Sequence, residues 1–348
     1  MKNLVFIFCI LIILFKTGNV LSNNNIFNVN NIKIDGKIYE NKEKIINQAF
    51  KQGYKKLINR LLLENDYKKL STINLGQIKK LISYYQIVDS NLQEEENVNK
   101  TEFNISFDKG SMYDFFYQNN VLYSDIINTE IVLLPLFISD KQYFLYTKNY
   151  FYENWNNETS DNLIQYTLPV ESIESIQIIE KNKDNIYNLN FSDFFKEYDV
   201  KNMAFVIIEI NKNMAQVFLN TKIAGKKLNK TLSINQAKLN QENFYNKIIL
   251  ETKYTIKNLI KSENLIDVRT PSFLNAEIKL NKKSNLIEFN NRIKNIDLID
   301  NSNVQKLNKD YALVKIKFLG KIDKIINELK DQNINLKMIK GQWQLDII

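Results

Sequence analysis

Apolar residues recur along this chain at two periods, and the switches between them mark out its elements. In residues 28–39, Ile32, Ile34 and Ile38 alternate with polar neighbours, and Asp35-Gly36 gives a turn or bulge signal, which predicts a strand or short hairpin. The spacing then lengthens to three or four. Ile45/Ile46, Ala49/Phe50, Tyr54, Leu57/Ile58 and Leu61/Leu62 form one stripe, so a helix capped by Asn41 is expected to end near Asn65. A shorter helix over 75–84 leads into strands at 85–92 and 100–107, joined by the acidic turn Glu94-Glu95-Glu96. Residues 112–119 read as helical. Residues 130–138 are apolar on both faces, as a central strand would be, with Pro135 near the end. A short paired strand at 143–146, an aromatic turn or helix at 149–155 and a helix at 191–198 follow.

Three alternating runs at 204–210, 215–223 and 228–234, separated by Asn211-Lys212-Asn213 and Gly225, predict an antiparallel meander. One long stripe (Phe244, Ile248, Ile249, Thr252, Ile256, Leu259, Ile260) predicts a helix over 239–262. Then Leu274, Ala276, Ile278 and Leu280 alternate strictly with polar residues. A helix at 286–293, strands at 296–307 and 311–319, a helix at 322–329 and a closing hairpin (336–338 and 343–347, around Lys340-Gly341) complete the order β-α-β-β-α-β. That order is the ferredoxin-like supersecondary unit. The expected fold class is therefore α/β (α+β). The expected division is a leader at 1–22, an α/β region at 23–235 with its antiparallel continuation, a connecting helix at 236–265 and a ferredoxin-like unit at 266–348.

The leader changes the compartment. Lys2 precedes an apolar run of twelve residues (4–15), and Val20-Leu21-Ser22 offers a cleavage site before Asn23, the pattern of a secretory signal peptide. Twelve residues fall short of the ~20 needed to span a bilayer. The expectation is export to the periplasm with cleavage after Ser22 and no later transmembrane span; the alternative is an inner-membrane anchor formed by 4–15. Removing 22 of 348 residues takes Lys2 and Lys16 away and lowers the formal net charge from +8 to +6. Arginine occurs only at Arg60, Arg269 and Arg292. The planar fork that phosphate recognition favours is nearly missing, so no nucleic acid is expected as a partner. Lys, Asn, Ile, Tyr and Phe dominate while Gly and Pro are scarce, the composition of an AT-rich genome. The five Asn-x-Ser/Thr sequences, at Asn99, Asn104, Asn157, Asn190 and Asn229, arise from that asparagine content.

Several stretches resemble a proteobacterial family catalogued as domain of unknown function 2066. They are AFKQGYKKLINRLL (49–62), QIKKLISYYQI (77–87), TEFNISFDKGSMYDFFYQNNVLY (101–123), IVLLPLF (131–137) and NYFYENW (149–155). The late Gly-x-Trp-x-Leu at 341–345 also fits. The resemblance spans roughly 28–235, and it implies an exported envelope protein of a Gram-negative bacterium; it brings no catalytic residues.

The chain has no histidine, and its one cysteine, Cys9, lies in the leader. Histidine-assisted nucleophiles, zinc sites and disulfides are thereby excluded from the mature protein. No glycine-rich phosphate loop occurs. Carboxylate chemistry remains open. Asp108, which could be pictured as a catalytic acid, reads better as the N-cap of the helix after it. Glu153 beside Trp155 suggests sugar stacking, against a core role for the tryptophan, and Trp343 reads as core. The possible interaction patch is Tyr143, Phe144, Tyr146, Tyr150, Phe151, Tyr152 and Trp155, which anchors a partner if exposed and closes the first region if buried. A second surface is the outward face of the C-terminal sheet, with Glu277, Lys279, Lys315 and Lys317. The expected function is that of a non-enzymatic envelope protein, without cofactor or metal, acting through contact with an envelope protein partner. The alternatives are a periplasmic ligand- or lipid-binding module and a carboxylate-dependent glycan hydrolase.

Overall fold

Asn28 to Asp35 extend as strand β1 (Asn28–Asp35), and the change of apolar period after Gly36 takes the chain into helix α1 (Lys42–Leu61). Asn41 caps it by accepting the Lys44 amide hydrogen at 3.2 Å. The computed structural model describes residues 26–36, 41–88, 100–157, 163–280, 285–339 and 341–348. The leader expected at 1–22, the turn expected at 94–96, Asn99 and the Lys282-Lys283 pair lie outside them. The expected single helix to Asn65 stops at Leu61, because Leu62 and Leu63 are extended, and a separate helix α2 (Glu64–Leu70) begins. Helix α3 (Leu75–Leu81) opens on a reciprocal capping box between Asn74 and Gln77. It ends three residues earlier than expected, where the β-prone Ile-Ser-Tyr-Tyr run turns extended and starts strand β2 (Ile82–Val88). Strand β3 (Lys100–Phe107) lies between β1 and β2 in an antiparallel sheet, and the stripe of α1 packs on one face of it. Gly53 lets the helix come close: a Cβ there would sit 2.9 Å from methyl carbons of both Ile32 and Ile105. Helix α4 (Lys109–Asn119) and a two-residue strand β4 (Tyr123–Ser124) complete this part.

Strand β5 (Thr129–Ser139) is central, as its two apolar faces predict, and it continues past Pro135. It pairs in parallel with β8 (Met203–Asn211) along one edge. Its other edge is shared by β6 (Gln142–Phe144), antiparallel, and β7 (Ile164–Thr167), parallel. Between β6 and β8 lie α5 (Tyr150–Asn154), β7, α6 (Ile173–Lys181) and two 3₁₀ turns, Lys183–Asn188 and Phe191–Phe195. The second turn replaces the helix expected at 191–198. β7 and α6 have no counterpart in the sequence reading. The meander follows as β8, β9 (Met214–Ile223) and β10 (Lys226–Asn235). Helix α7 (Gln241–Glu263) packs on the face carrying Ile131, Leu133 and Phe137, while the 3₁₀ phenylalanines cover Val132, Leu134 and Leu136 on the other. A β-sheet sealed on both sides needs apolar residues at every position, which β5 supplies.

Strand β11 (Leu265–Ile266) pairs with β4 and ties the end of α7 to the first part of the chain. Beyond it come β12 (Ser272–Lys279), α8 (Asn285–Ile293), β13 (Ile299–Leu307), β14 (Tyr311–Phe318), α9 (Ile322–Asp331), β15 (Ile334–Ile339) and β16 (Gln342–Ile347). The sheet order is β13-β14-β12-β16-β15. A ferredoxin-like β-α-β-β-α-β unit has four strands, and this sheet has a fifth: β16 returns through Gly341 (φ +80°) and inserts parallel to β12, leaving β15 at the edge. The whole is an α+β fold.

The apolar cores group the chain differently from the expected division. Residues of β1, α1, β3 and α4 share one core with β12, α8, β14, α9 and β16, while β5, the meander and α7 form another. α7 is therefore a packed layer more than a connector. Its buried Lys261 (1% exposed) donates from Nζ to the carbonyl oxygens of Asn59 (2.5 Å) and Leu62 (2.8 Å), at the end of α1.

Candidate functional site

β2 is an outer strand: among the described residues it pairs only with β3, so the backbone groups of its other edge face outward. Natural sheets guard such edges with lysine, proline or short length. Ile-Ser-Tyr-Tyr-Gln-Ile-Val carries no charge and no proline over seven residues. Beside it runs an open groove of about 760 Å³, between this edge and the first turns of α1, lined by Ile46, Phe50, Tyr84 and Tyr85 with Lys42 and Lys79. Tyr84 and Tyr85 are 51% and 39% exposed. The Tyr85 ring meets Phe50 edge-on at 5.1 Å between centroids, which fixes the groove wall. Its chemistry is that of a strand acceptor: a row of backbone donors and acceptors with apolar pockets alongside.

A second cavity, of about 390 Å³, lies where three parts of the fold meet. Asp125 follows β4, Glu263 ends α7, and Lys321, Asp323 and Lys324 open α9; Lys201 precedes β8. Asp125 is 8% exposed and pairs through Oδ2 with Lys324 at 2.5 Å, while its Oδ1 is buried without a hydrogen-bond partner. Glu263 meets Lys226 at 2.7 Å, and Lys321 Nζ donates to the Glu263 carbonyl oxygen at 3.1 Å. Behind the cavity, Lys109 faces Asp297 at 3.8 Å, and the Tyr123 hydroxyl bonds to that of Tyr113 (3.1 Å), which donates to the Asp297 carbonyl (3.3 Å). Burial raises the Asp297 carboxyl above its ordinary range, with Lys109 opposing the rise. Glu328 is raised for the same reason, with Lys324 opposing. Burial also lowers the Lys109 ammonium, although Asp297 and Asp300 favour its charge. Desolvation outweighs the neighbouring charges at each of these groups.

The aromatic patch expected at 143–155 is not an open surface. Tyr146, Phe151 and Trp155 are buried, and Tyr143, Phe144, Tyr150 and Tyr152 are half-buried. They turn inward because Phe137, Phe144, Phe151 and Tyr245 pack ring on ring, and because the Tyr150 hydroxyl reaches Asn246 Oδ1 at 2.8 Å. Trp155 has no face left for a sugar. Asp108 does cap α4, accepting the Ser111 amide hydrogen at 2.8 Å, and this bond holds its carboxyl below the usual range. On the C-terminal sheet the Lys315 ammonium stands 4.5 Å over the Phe273 ring, Lys317 pairs with Asp300 at 2.7 Å, and Trp343 packs against the core.

The residue that reading by pattern missed altogether is Asn149. Its Nδ2 donates to the carbonyl oxygens of Pro135, Phe144 and Leu145, each at 2.9 Å. Its Oδ1 accepts from the amides of Phe151 (3.1 Å) and Tyr152 (3.3 Å). It fills the stretch of β5 edge that β7 leaves at Val132 and β6 resumes at Phe137. The signal available was an asparagine directly before a short aromatic helix.

Among the described residues no group of three or more acidic, histidine or cysteine side chains is placed to hold a metal ion, and no helix is long and apolar enough to cross a membrane. No family model, no curated protein and no solved structure matches this chain.

Proposed function

We propose that the protein is a non-enzymatic binding protein that captures an extended segment of a partner protein by adding it as a fourth strand beside β2. The observation that carries this reading is an uncharged, proline-free edge strand bordering an aromatic groove. A strand added there gains backbone hydrogen bonds along β2, and alternate side chains enter the groove against the wall formed by the Phe50–Tyr85 pair, the mode by which sheets recognise peptides. Lys42 and Lys79 at the groove outnumber Glu43, so the segment that fits is apolar at alternate positions and carries an acidic residue. With the apolar run at 4–15 read as an export signal, the partner is a protein of the cell envelope.

The test is photo-crosslinking from position 85 in cells, followed by synthesis of the captured segment as a peptide. Hydrogen exchange of the full chain is then measured with and without that peptide. The expected result is slowed exchange at the amides of Ser83 to Ile87, abolished by Tyr84→Lys, which places a guarding charge on the edge. Unchanged exchange across β2 with the peptide bound elsewhere overturns the reading.

A further inference from the structure

We propose that the outer crest of α1 docks the protein on an anionic phospholipid surface. Charge is unevenly spread along the chain. Residues 42–80, which hold α1, α2 and α3, carry nine lysines and Arg60 against Glu43, Glu64 and Asp66, a net +7 where the whole chain carries +8. All nine lysines are exposed. On α1 the stripe that meets the first sheet is apolar, and Lys44, Lys51 and Lys55, spaced by seven and four residues, fall on the opposite side. Gln48, Gln52 and Asn59 lie beside them, also exposed, so the crest holds neither an acid nor an apolar side chain. Among the described residues none of these three lysines pairs with a carboxylate, whereas Lys68 on α2 is taken up by Glu64.

The form of the charge selects the partner. Lys44 and Lys55 stand about 17 Å apart along the helix axis, on the outside of a helix, which suits an extended anionic plane better than a single ligand. Lysine acts as a hydrated point charge and needs no fixed geometry, while phosphodiester recognition favours the arginine fork. The one arginine of this layer, Arg60, turns inward and donates to the carbonyl oxygens of Ile26 and Asn28. A fitted protein interface centres on aromatic or arginine anchors, and the crest has none. An anionic bilayer attracts each lysine that comes within a Debye length of it, by about fivefold in binding. With no apolar residue on the crest, nothing inserts among the lipid chains, and the attachment is electrostatic throughout. The groove beside β2 is lined by other side chains, so docking and strand capture are independent.

The experiment is co-sedimentation of the full chain with vesicles of phosphatidylcholine alone and of an equimolar phosphatidylcholine–phosphatidylglycerol mixture. Attachment through the apolar run at 4–15 is the part common to both, and the crest adds binding to the anionic mixture. Lys44→Gln, Lys51→Gln and Lys55→Gln together are expected to weaken that binding about a hundredfold. Raising the ionic strength from about 0.1 M to about 1 M shortens the screening length from ~10 Å to ~3 Å and is expected to remove the same increment. Lys227→Gln, Lys230→Gln and Lys238→Gln remove equal charge from β10 and the loop after it, and are expected to change binding less than about threefold. An unchanged far-ultraviolet spectrum shows that each variant is folded; if the crest triple is not, Lys51→Gln alone decides, with an expected loss of about fivefold. Equal binding to both vesicles, equal loss in the two triple variants, or tighter binding of a DNA duplex or polyglutamate at matched anionic charge overturns the proposal.

Discussion

Asn149→Asp exchanges one NH₂ group for one oxygen and so isolates the hydrogen-bond hub of the central sheet from its packing. The side chain is completely buried and donates to three carbonyl oxygens at 2.9 Å. An amide has two hydrogens, so one is shared, and at most two full bonds are lost. Leaving a buried acceptor unsatisfied costs about 1–3 kcal/mol, which gives about 2–6 kcal/mol for the pair. The new oxygen also faces three carbonyl dipoles, which places the result toward the upper part of that range. The acceptor side, toward Phe151 and Tyr152, is unchanged. Against a typical domain stability of roughly 5–15 kcal/mol this is a large fraction. Urea unfolding with linear extrapolation at about pH 7 measures it. The sign of the pH effect follows from linkage. Carbonyls around the introduced carboxyl raise its folded-state pKa above the unfolded value near 3.9, so the native state binds the proton more tightly and stability falls as pH rises past that value. The deficit is therefore smaller at about pH 4 than at about pH 7. A loss within about 0.5 kcal/mol of the parent at neutral pH, or a deficit that does not change with pH, refutes the hub.

Lys261→Met keeps the length of the side chain and removes its bonds to the carbonyl oxygens of Asn59 and Leu62; the expected loss is about 2–4 kcal/mol by chemical denaturation, with an unchanged far-ultraviolet spectrum at low denaturant. Asp108→Ala removes the cap of α4 and is expected to cost about 1 kcal/mol, read as a shift in the urea midpoint without a change in slope. Glu328→Gln acts on a carboxyl whose pKa burial raises, a group that makes the folded state less stable as pH climbs above the ordinary carboxylate value; the variant should flatten that part of the stability–pH curve, and a steeper curve counts against the assignment.

What could be read in advance follows from where the information sits. A one-sided helix or strand announces itself locally, and the stripe of α1, the alternation of β12 and the meander β8 to β10 all appeared at nearly their observed places. Short elements carry no period. β4 and β11 have two residues each and exist because they pair across 141 positions of chain, from Ser124 to Leu265 at the nearest. Phe191 to Phe195 looked helical by spacing, but its three buried rings fit against β5 and β8 only in the tighter 3₁₀ turn. The insertion of β16 beside β12 was hidden as well, since a hairpin pattern does not say which of its strands faces the sheet. The two sites divide in the same way. The residues of β2 were visible as a strand, while its place at the edge is a property of the sheet. The acids and lysines of the second cavity come singly from Asp125, Lys201 and Glu263 and as a trio from Lys321, Asp323 and Lys324, and in each segment they look like any solvated charge.

The sharing of one core by the two ends of the chain has a consequence for the order of events during synthesis. β1, α1 and β3 emerge first, but the apolar surface that completes their core belongs to residues 266–345. A ribosome adding ~5–20 residues per second takes on the order of ten seconds or more to deliver that partner surface. Through this interval the bare edge of β2 and the unfilled face of the first sheet stand open together. Contacts such as Tyr113 to Asp297, 184 residues apart, close last. A core that joins residues so far apart in sequence closes long loops before its contacts reward them, which slows folding.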